Sequence, residues 1–186
     1  MPPKDDLPPG DKPLKDPIEI AEYDPDWPLL YQQEETRLRK ILAFVPGLTI
    51  EHFGSTSVRG LAAKPIIDIM ISVESRSHWP LLVEPVKTLG YVHWEANPSQ
   101  EEMFFVKGMP PFGEKRTHHL HVYDFQGSRW KKELLFRDYL RTHREDALRY
   151  AELKQDLALR FTYDREAYTD AKTDFIEGVL QKISHQ

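Results

Sequence analysis

The run PIIDIMISV, residues 65–73, restricts this chain more than any other stretch. Ile67, Ile69, Ile71 and Val73 fall on one face of an extended segment, and Asp68, Met70 and Ser72 fall on the other. A strand with one wholly aliphatic face must lie on a hydrophobic core. Asp68 therefore points away from that core, toward a groove or toward helices on the second face. Just upstream, LTIEHF reads as another strand that runs into the turn Gly54-Ser55. The hydroxyls of Ser55, Thr56 and Ser57, with the exposed amides of a glycine turn, suit an oxyanion such as phosphate. Turns of this composition also serve simply to join elements. Lys64, four residues before Asp68, either contacts the same ligand or neutralises the aspartate.

A second strand, THHLHVYD, sends His118 inward with Leu120 and Val122 and places His119, His121 and Tyr123 on the outer face. Histidines at i and i+2 on a strand can both reach one ion, and imidazole suits Zn, Mn, Fe, Co or Ni. An isolated pair of this kind more often serves in hydrogen bonds to neighbouring backbone or acids. If this strand lies beside Asp68, three ligands converge.

The rest of the chain supplies the frame. Residues 1–17 hold six prolines and seven charges with almost nothing apolar, and read as a flexible tail. IEIAEY reads as a short strand. Asp26 caps a helix entered through Pro28, with Leu30, Leu38, Ile41 and Leu42 as its apolar stripe and Pro46-Gly47 as its stop. Ser77 caps a helix that runs through Leu89 and ends at Gly90. EEMFFVKG pairs with THHLHVYD as a hairpin across a glycine- and proline-rich loop. From Ser128 three helices follow, with caps at Ser128 and Asp164. Arg137, Arg141, Lys154 and Lys172 lie on these helices, where solvated surface is the usual position for such side chains. Residues 18–186 thus form a single α+β domain, a strand-rich half followed by a helical segment.

Composition narrows the function classes. A length of 186 residues, 40% of them hydrophobic and 30% charged, suits one soluble domain. A net charge of −5 leaves no general surface for nucleic acid or acidic membranes. The absence of cysteine removes disulfides, zinc–thiolate sites and cysteine nucleophiles, and fits a cytoplasmic protein. No apolar run of about 18 residues is present to span a bilayer.

Several motifs together resemble the signature of the GrpB family. They are His52-x-Gly54-Ser55-Thr56-Ser57-Val58-x-Gly60-Leu61-x-x-Lys64-Pro65-x-x-Asp68, Arg116-Thr117-His118-His119-Leu120-His121-Val122, Leu135-Phe136-Arg137-Asp138-Tyr139-Leu140-Arg141, Leu153-Lys154, and Tyr168-Thr169-x-x-Lys172. The resemblance spans roughly residues 18–183, and the same domain occurs fused to dephospho-CoA kinase in some bacteria. It implies a nucleotidyltransferase-like mixed β-sheet with helices. In that superfamily a Gly-Ser turn holds nucleotide phosphates, two alternate carboxylates on one strand bind divalent metal, and a third stands on a neighbouring strand.

Gly54-Ser55 and Asp68 match the first parts, but Met70 occupies the position of the second carboxylate, and His119 and His121 stand where an acid would. A thioether does not usefully coordinate Mg²⁺, so one acid and two histidines better suit a single softer ion. The expected function is therefore a metal-dependent nucleotidyltransferase-like enzyme acting on a nucleotide or another small phosphorylated molecule. Its divalent ion is Mg, Mn, Zn or Ni. Two other readings stand: a non-catalytic nucleotide-binding module, and a metal-dependent small-molecule enzyme of different chemistry. Asp68, His119 and His121 are the expected metal ligands and catalytic residues. Gly54, Ser55, Thr56, Ser57, Lys64 and Arg116 are the expected phosphate contacts, and the resemblance adds Arg137, Lys154 and Lys172. His52 either orients a ligand from behind or caps the turn.

Overall fold

The computed structural model describes residues 17–95, 101–109 and 112–185, so all of the expected tail except Pro17 lies outside the described residues. Five strands form one mixed sheet: β1 Thr49–Phe53, β2 Ile67–Val73, β3 Tyr91–His93, β4 Glu102–Lys107 and β5 His118–Asp124. Their order across the sheet is β1-β2-β5-β4-β3. β2 and β5 run parallel, and every other pair is antiparallel. The hairpin of β4 with β5 is the one the sequence pattern predicts. The short strand β3 carries too brief an apolar pattern to be read beforehand.

One face of the sheet packs on the main core, as the alternation of β2 requires. Ile67, Ile69, Ile71, Leu120, Val122 and Phe105 meet α1 (Trp27–Ile41) and α2 (Trp79–Lys87) through Trp27, Leu38, Leu82 and Val86. The opposite face meets the helical half: α3 Ser128–Thr142, α4 Arg144–Arg160, α5 Arg165–Asp170 and α6 Thr173–Ser184. A second core joins Val58, Leu61 and Ala62, from the segment between β1 and β2, to Phe136, Leu140, Tyr150 and Val179 of those helices.

Local expectations are corrected at several points. IEIAEY forms only the bridge Ala21–Ala63, because Ile18 turns to donate its N–H to the Thr162 carbonyl at 2.8 Å. Asp26 takes the N-cap position of α1, but its side chain makes no capping bond; the Asp24 carboxylate accepts from its N–H instead. Ser75, not Ser77, caps a 3₁₀ turn at Arg76–His78 that leads into α2. Gly127, not Ser128, precedes α3. Asp164 does cap α5 by accepting from the Ala167 N–H. The last expected helix is two, α5 and α6, broken at Ala171-Lys172.

Met70 shares a strand face with Asp68 but is sealed, with no exposed surface. It packs with Phe53, Tyr123 and Trp130 of α3. Position 70 is thus part of a small core and not an open ligand slot, contrary to the expectation of a displaced metal ligand. Met70→Asp is expected to cost several kcal/mol, since it would bury a carboxylate among aromatic rings, and Mg²⁺ should restore none of it. Urea unfolding with and without Mg²⁺ measures both quantities; a variant stabilised by Mg²⁺ would return position 70 to the ligand set.

Candidate metal and anion site

Strand register brings the site together. Asp68 of β2 pairs with His119 of β5, and Met70 pairs with His121, so Asp68, His119 and His121 emerge side by side on the face toward the C-terminal helices. One ligand atom from each lies within 4.8 Å of the others. His119 Nδ1 stands 3.1 Å from Asp68 Oδ1, and His121 Nδ1 stands 2.9 Å from Glu102 Oε2. The Phe104 ring lies 4.7 Å from the His121 ring and 5.2 Å from the His119 ring.

Burial pushes the His119 imidazole down to about 4, so at neutral pH it is uncharged. Burial acts to raise the Asp68 carboxyl, but the His119 hydrogen bond, with His121 and Lys64 nearby, holds it below the usual carboxylate range. An ionised carboxylate beside a neutral imidazole is the protonation state a metal needs. His119 Nε2 is buried with no hydrogen-bond partner, an orphaned lone pair or N–H that a bound ion or ligand would satisfy.

The turn after β1 abuts this trio. Gly54 adopts φ +66 and ψ −174, a region that in practice only glycine occupies. A Cβ there would stand 2.5 Å from Asp68 Oδ2. Two of the three expected hydroxyl contacts are used to build the turn. Ser57 Oγ donates to the Gly54 carbonyl at 2.6 Å, and Thr56 Oγ1, buried, stands 3.0 Å from His52 Nε2. Ser55 lines the cavity beside Gly54 and Thr56. His52 lies on the core side, stacked on Tyr31 at 4.6 Å, and burial pushes it down to about 4. Its Nε2 bond to Thr56 secures the turn.

A cavity of about 440 Å³ joins the trio and the turn to a cluster of cations. Lys64 Nζ lies 5.1 Å from the centre of the Tyr168 ring and Lys172 Nζ lies 4.6 Å from it. Lys154 Nζ donates to the Ala62 carbonyl and lies 4.9 Å from the Tyr150 ring. Burial, reinforced by mutual repulsion, pushes Lys64 and Lys154 down to about 7, and burial lowers Lys172 too. Arg116, over the Trp94 ring, and Arg165 also line this space. Arg137 reaches the cavity wall, but its guanidinium donates to Glu51 at 2.8 Å, to the His52 carbonyl at 2.9 Å and to Asp138. Through these bonds it ties α3 to β1.

Residues not singled out in the sequence also belong to the site. Glu102 follows from the hairpin: counting back from the β4–β5 loop pairs it with Tyr123, on the same face as His121. Glu133 lies one helical turn before Arg137 on α3; burial raises its carboxyl, and Arg129 pairs with it at 3.1 Å. Tyr168, the ring between two lysines, is 1% exposed.

Sheet, turn and helical half together define a nucleotidyltransferase-like fold. A Cid1 poly(U) polymerase structure described as bound to Mg 3'-dATP matches that fold alone. Its TM-score is 0.52 at 11% identity, over 82% of this chain and 49% of that one. The crystal structure of GrpB from Enterococcus faecalis matches more fully, with a TM-score of 0.77 and 34% identity over 88% of this chain and 96% of that one.

The family model described as GrpB protein matches residues 17–182, and the chain belongs to the GrpB family. A UPF0157 protein of Pseudomonas aeruginosa is 50% identical over 89% of this chain and 67% of its own length. A dephospho-CoA kinase of Mycolicibacterium paratuberculosis is 31% identical over 89% of this chain, which spans only 46% of that protein. Among the described residues, no helix is long and apolar enough to cross a membrane.

Gly54→Ala tests the close approach of turn and carboxylate. The expected loss is about 1–3 kcal/mol, from positive φ and from displacement of Asp68. Chemical denaturation reads it, and a variant as stable as the parent would mean that the turn does not press on Asp68.

Proposed function

We propose that this chain is a metal-dependent nucleotidyltransferase-like enzyme that acts on a nucleotide or another small phosphorylated molecule. The observation that carries the reading is the convergence of Asp68, His119 and His121 in one cavity with a buried lysine cluster. Asp68 through its carboxylate and the two histidines through ring nitrogens would hold one divalent ion. One oxygen and two imidazole nitrogens suit Mn²⁺, Zn²⁺ or Ni²⁺ better than Mg²⁺. Bound there, the ion would supply a Lewis acid for a phosphoryl oxygen.

The protein's own groups do the remaining work. Lys64, Lys154 and Lys172, with Arg165 and Arg116, present positive charge to phosphates, and Ser55 offers a hydroxyl at the turn. Tyr150 and Tyr168 wall off water behind the ammonium groups. The kinase relative, by its name, supports a phosphorylated small molecule as the ligand. A sealed Met70 favours a second reading, a nucleotide-binding module without turnover, because it leaves the site short of the second carboxylate.

A screen of the four nucleoside triphosphates with Mg²⁺, Mn²⁺ or Zn²⁺ separates the two readings. Slow pyrophosphate release that depends on the metal and disappears in Asp68→Ala is expected. Calorimetric binding with no turnover under any metal would establish the module, and absence of binding would overturn both.

The lysines make a further expectation measurable. Lys64 and Lys154, pushed down to about 7, are largely uncharged in the free protein above that pH. A phosphate placed beside them favours the ammonium form and raises both values. Nucleotide binding at roughly pH 8 should therefore take up protons, and affinity should fall as pH rises from there toward the ordinary lysine value. Calorimetry in buffers of different ionisation enthalpy measures the uptake; zero uptake would place the phosphates elsewhere.

A further inference from the structure

Imidazole offers a metal only the ring nitrogen that carries no proton, and the partner of the other nitrogen decides which one that is. His121 Nδ1 stands 2.9 Å from Glu102 Oε2, with the Tyr123 hydroxyl 3.4 Å from the same nitrogen. A carboxylate can only accept, so Nδ1 must carry the hydrogen. The ring has little room to turn over: Phe53 meets it edge-on at 5.2 Å and Phe104 lies 4.7 Å away. His119 repeats the arrangement, with Nδ1 directed at Asp68 and Nε2 buried without a partner. Each histidine thus has a carboxylate at Nδ1, and His119 Nε2 has no hydrogen-bond partner.

We propose that Glu102 is a positioning residue of the site, fixing His121 as the Nδ1–H tautomer so that Nε2 is the atom offered to the divalent ion. Glu102 belongs to β4, pairs with Tyr123 across the hairpin, lines the same cavity and holds the His121 ring through its carboxylate. The inference rests on the metal reading above for what the open nitrogen is for, while the tautomer itself exists without any metal. Because Glu102 and His121 sit on neighbouring strands, the carboxylate also orients the ring plane, and its charge makes the imidazole a stronger electron donor.

The test compares the parent protein with Glu102→Ala, Glu102→Gln and His121→Ala, each checked for an unchanged fold by circular dichroism. Long-range ¹H–¹⁵N spectra of the metal-free protein read the His121 tautomer directly. Nδ1–H is expected in the parent, a shift toward Nε2–H in Glu102→Ala, and retention of Nδ1–H in Glu102→Gln, whose amide oxygen still accepts.

Zinc titration followed by competition with a chromophoric chelator then reads affinity. A loss of about 10- to 100-fold is expected for Glu102→Ala, with a smaller loss for Glu102→Gln and the largest for His121→Ala. Nε2–H in the parent would overturn the proposal, and so would equal zinc affinity in the parent and Glu102→Ala. The expected tautomer with no zinc bound by the parent would overturn the metal reading instead, leaving Glu102 as the residue that holds the ring.

Discussion

The parallel pairing of β2 with β5 is the constraint on which the rest of the structure depends. It sets Asp68 opposite His119 and Met70 opposite His121. Side chains alternate with a period of two, so a slip of one residue would turn Ile67, Ile69 and Ile71 toward the helices and bury Asp68 in the main core. The aliphatic face therefore enforces the position of the polar one. Hydrophobic packing by Leu38, Leu82, Phe105 and Leu120 on one side indirectly fixes the site on the other.

Charge on the far face has to be reconciled with burial. Lys154 is 2% exposed, and with Lys64 and Lys172 it surrounds two tyrosine rings. Three ammonium groups so close would repel one another and lose hydration. They lower their proton affinity in response, and the aromatic faces and the Ala62 carbonyl supply part of the lost solvation. Asp68 at one end and the lysines at the other give the cavity two electrical poles. That division suits a ligand whose anionic groups lie at the lysine end, with a cation between those groups and the carboxylate.

Strand alternation made Asp68, His119 and His121 readable from the sequence as groups facing away from the core, because the period of two leaves no freedom. Their meeting was not readable, since register across parallel strands depends on contacts between distant segments. Glu102 is legible from the hairpin, whose register sets it opposite Tyr123. Met70 was ambiguous because a thioether is equally at home in a core and in a vacated ligand position; Trp130, sixty residues on, decides it. The bonds of Arg137 to Glu51 and the His52 carbonyl join segments 85 or more residues apart, so no local pattern announces them. The break between α5 and α6 leaves no local mark, as neither glycine nor proline stands at Ala171-Lys172.

The α5–α6 break has a bearing on how the molecule matures. Lys172 comes from the far end of the chain, while Gly54 and Asp68 come from its first half. A ribosome delivers those parts many seconds apart at roughly 5–20 residues per second. The β1–β2 and β4–β5 hairpins can close early, but the cationic wall is added only when the last two helices dock. Until then Val58, Leu61 and Ala62 are an uncovered apolar strip. The helices that cover the strip also bring Lys154 and Lys172 to the cavity. A chain that stopped short of α5 would leave that strip partly uncovered and lack the Lys172 side of the cavity.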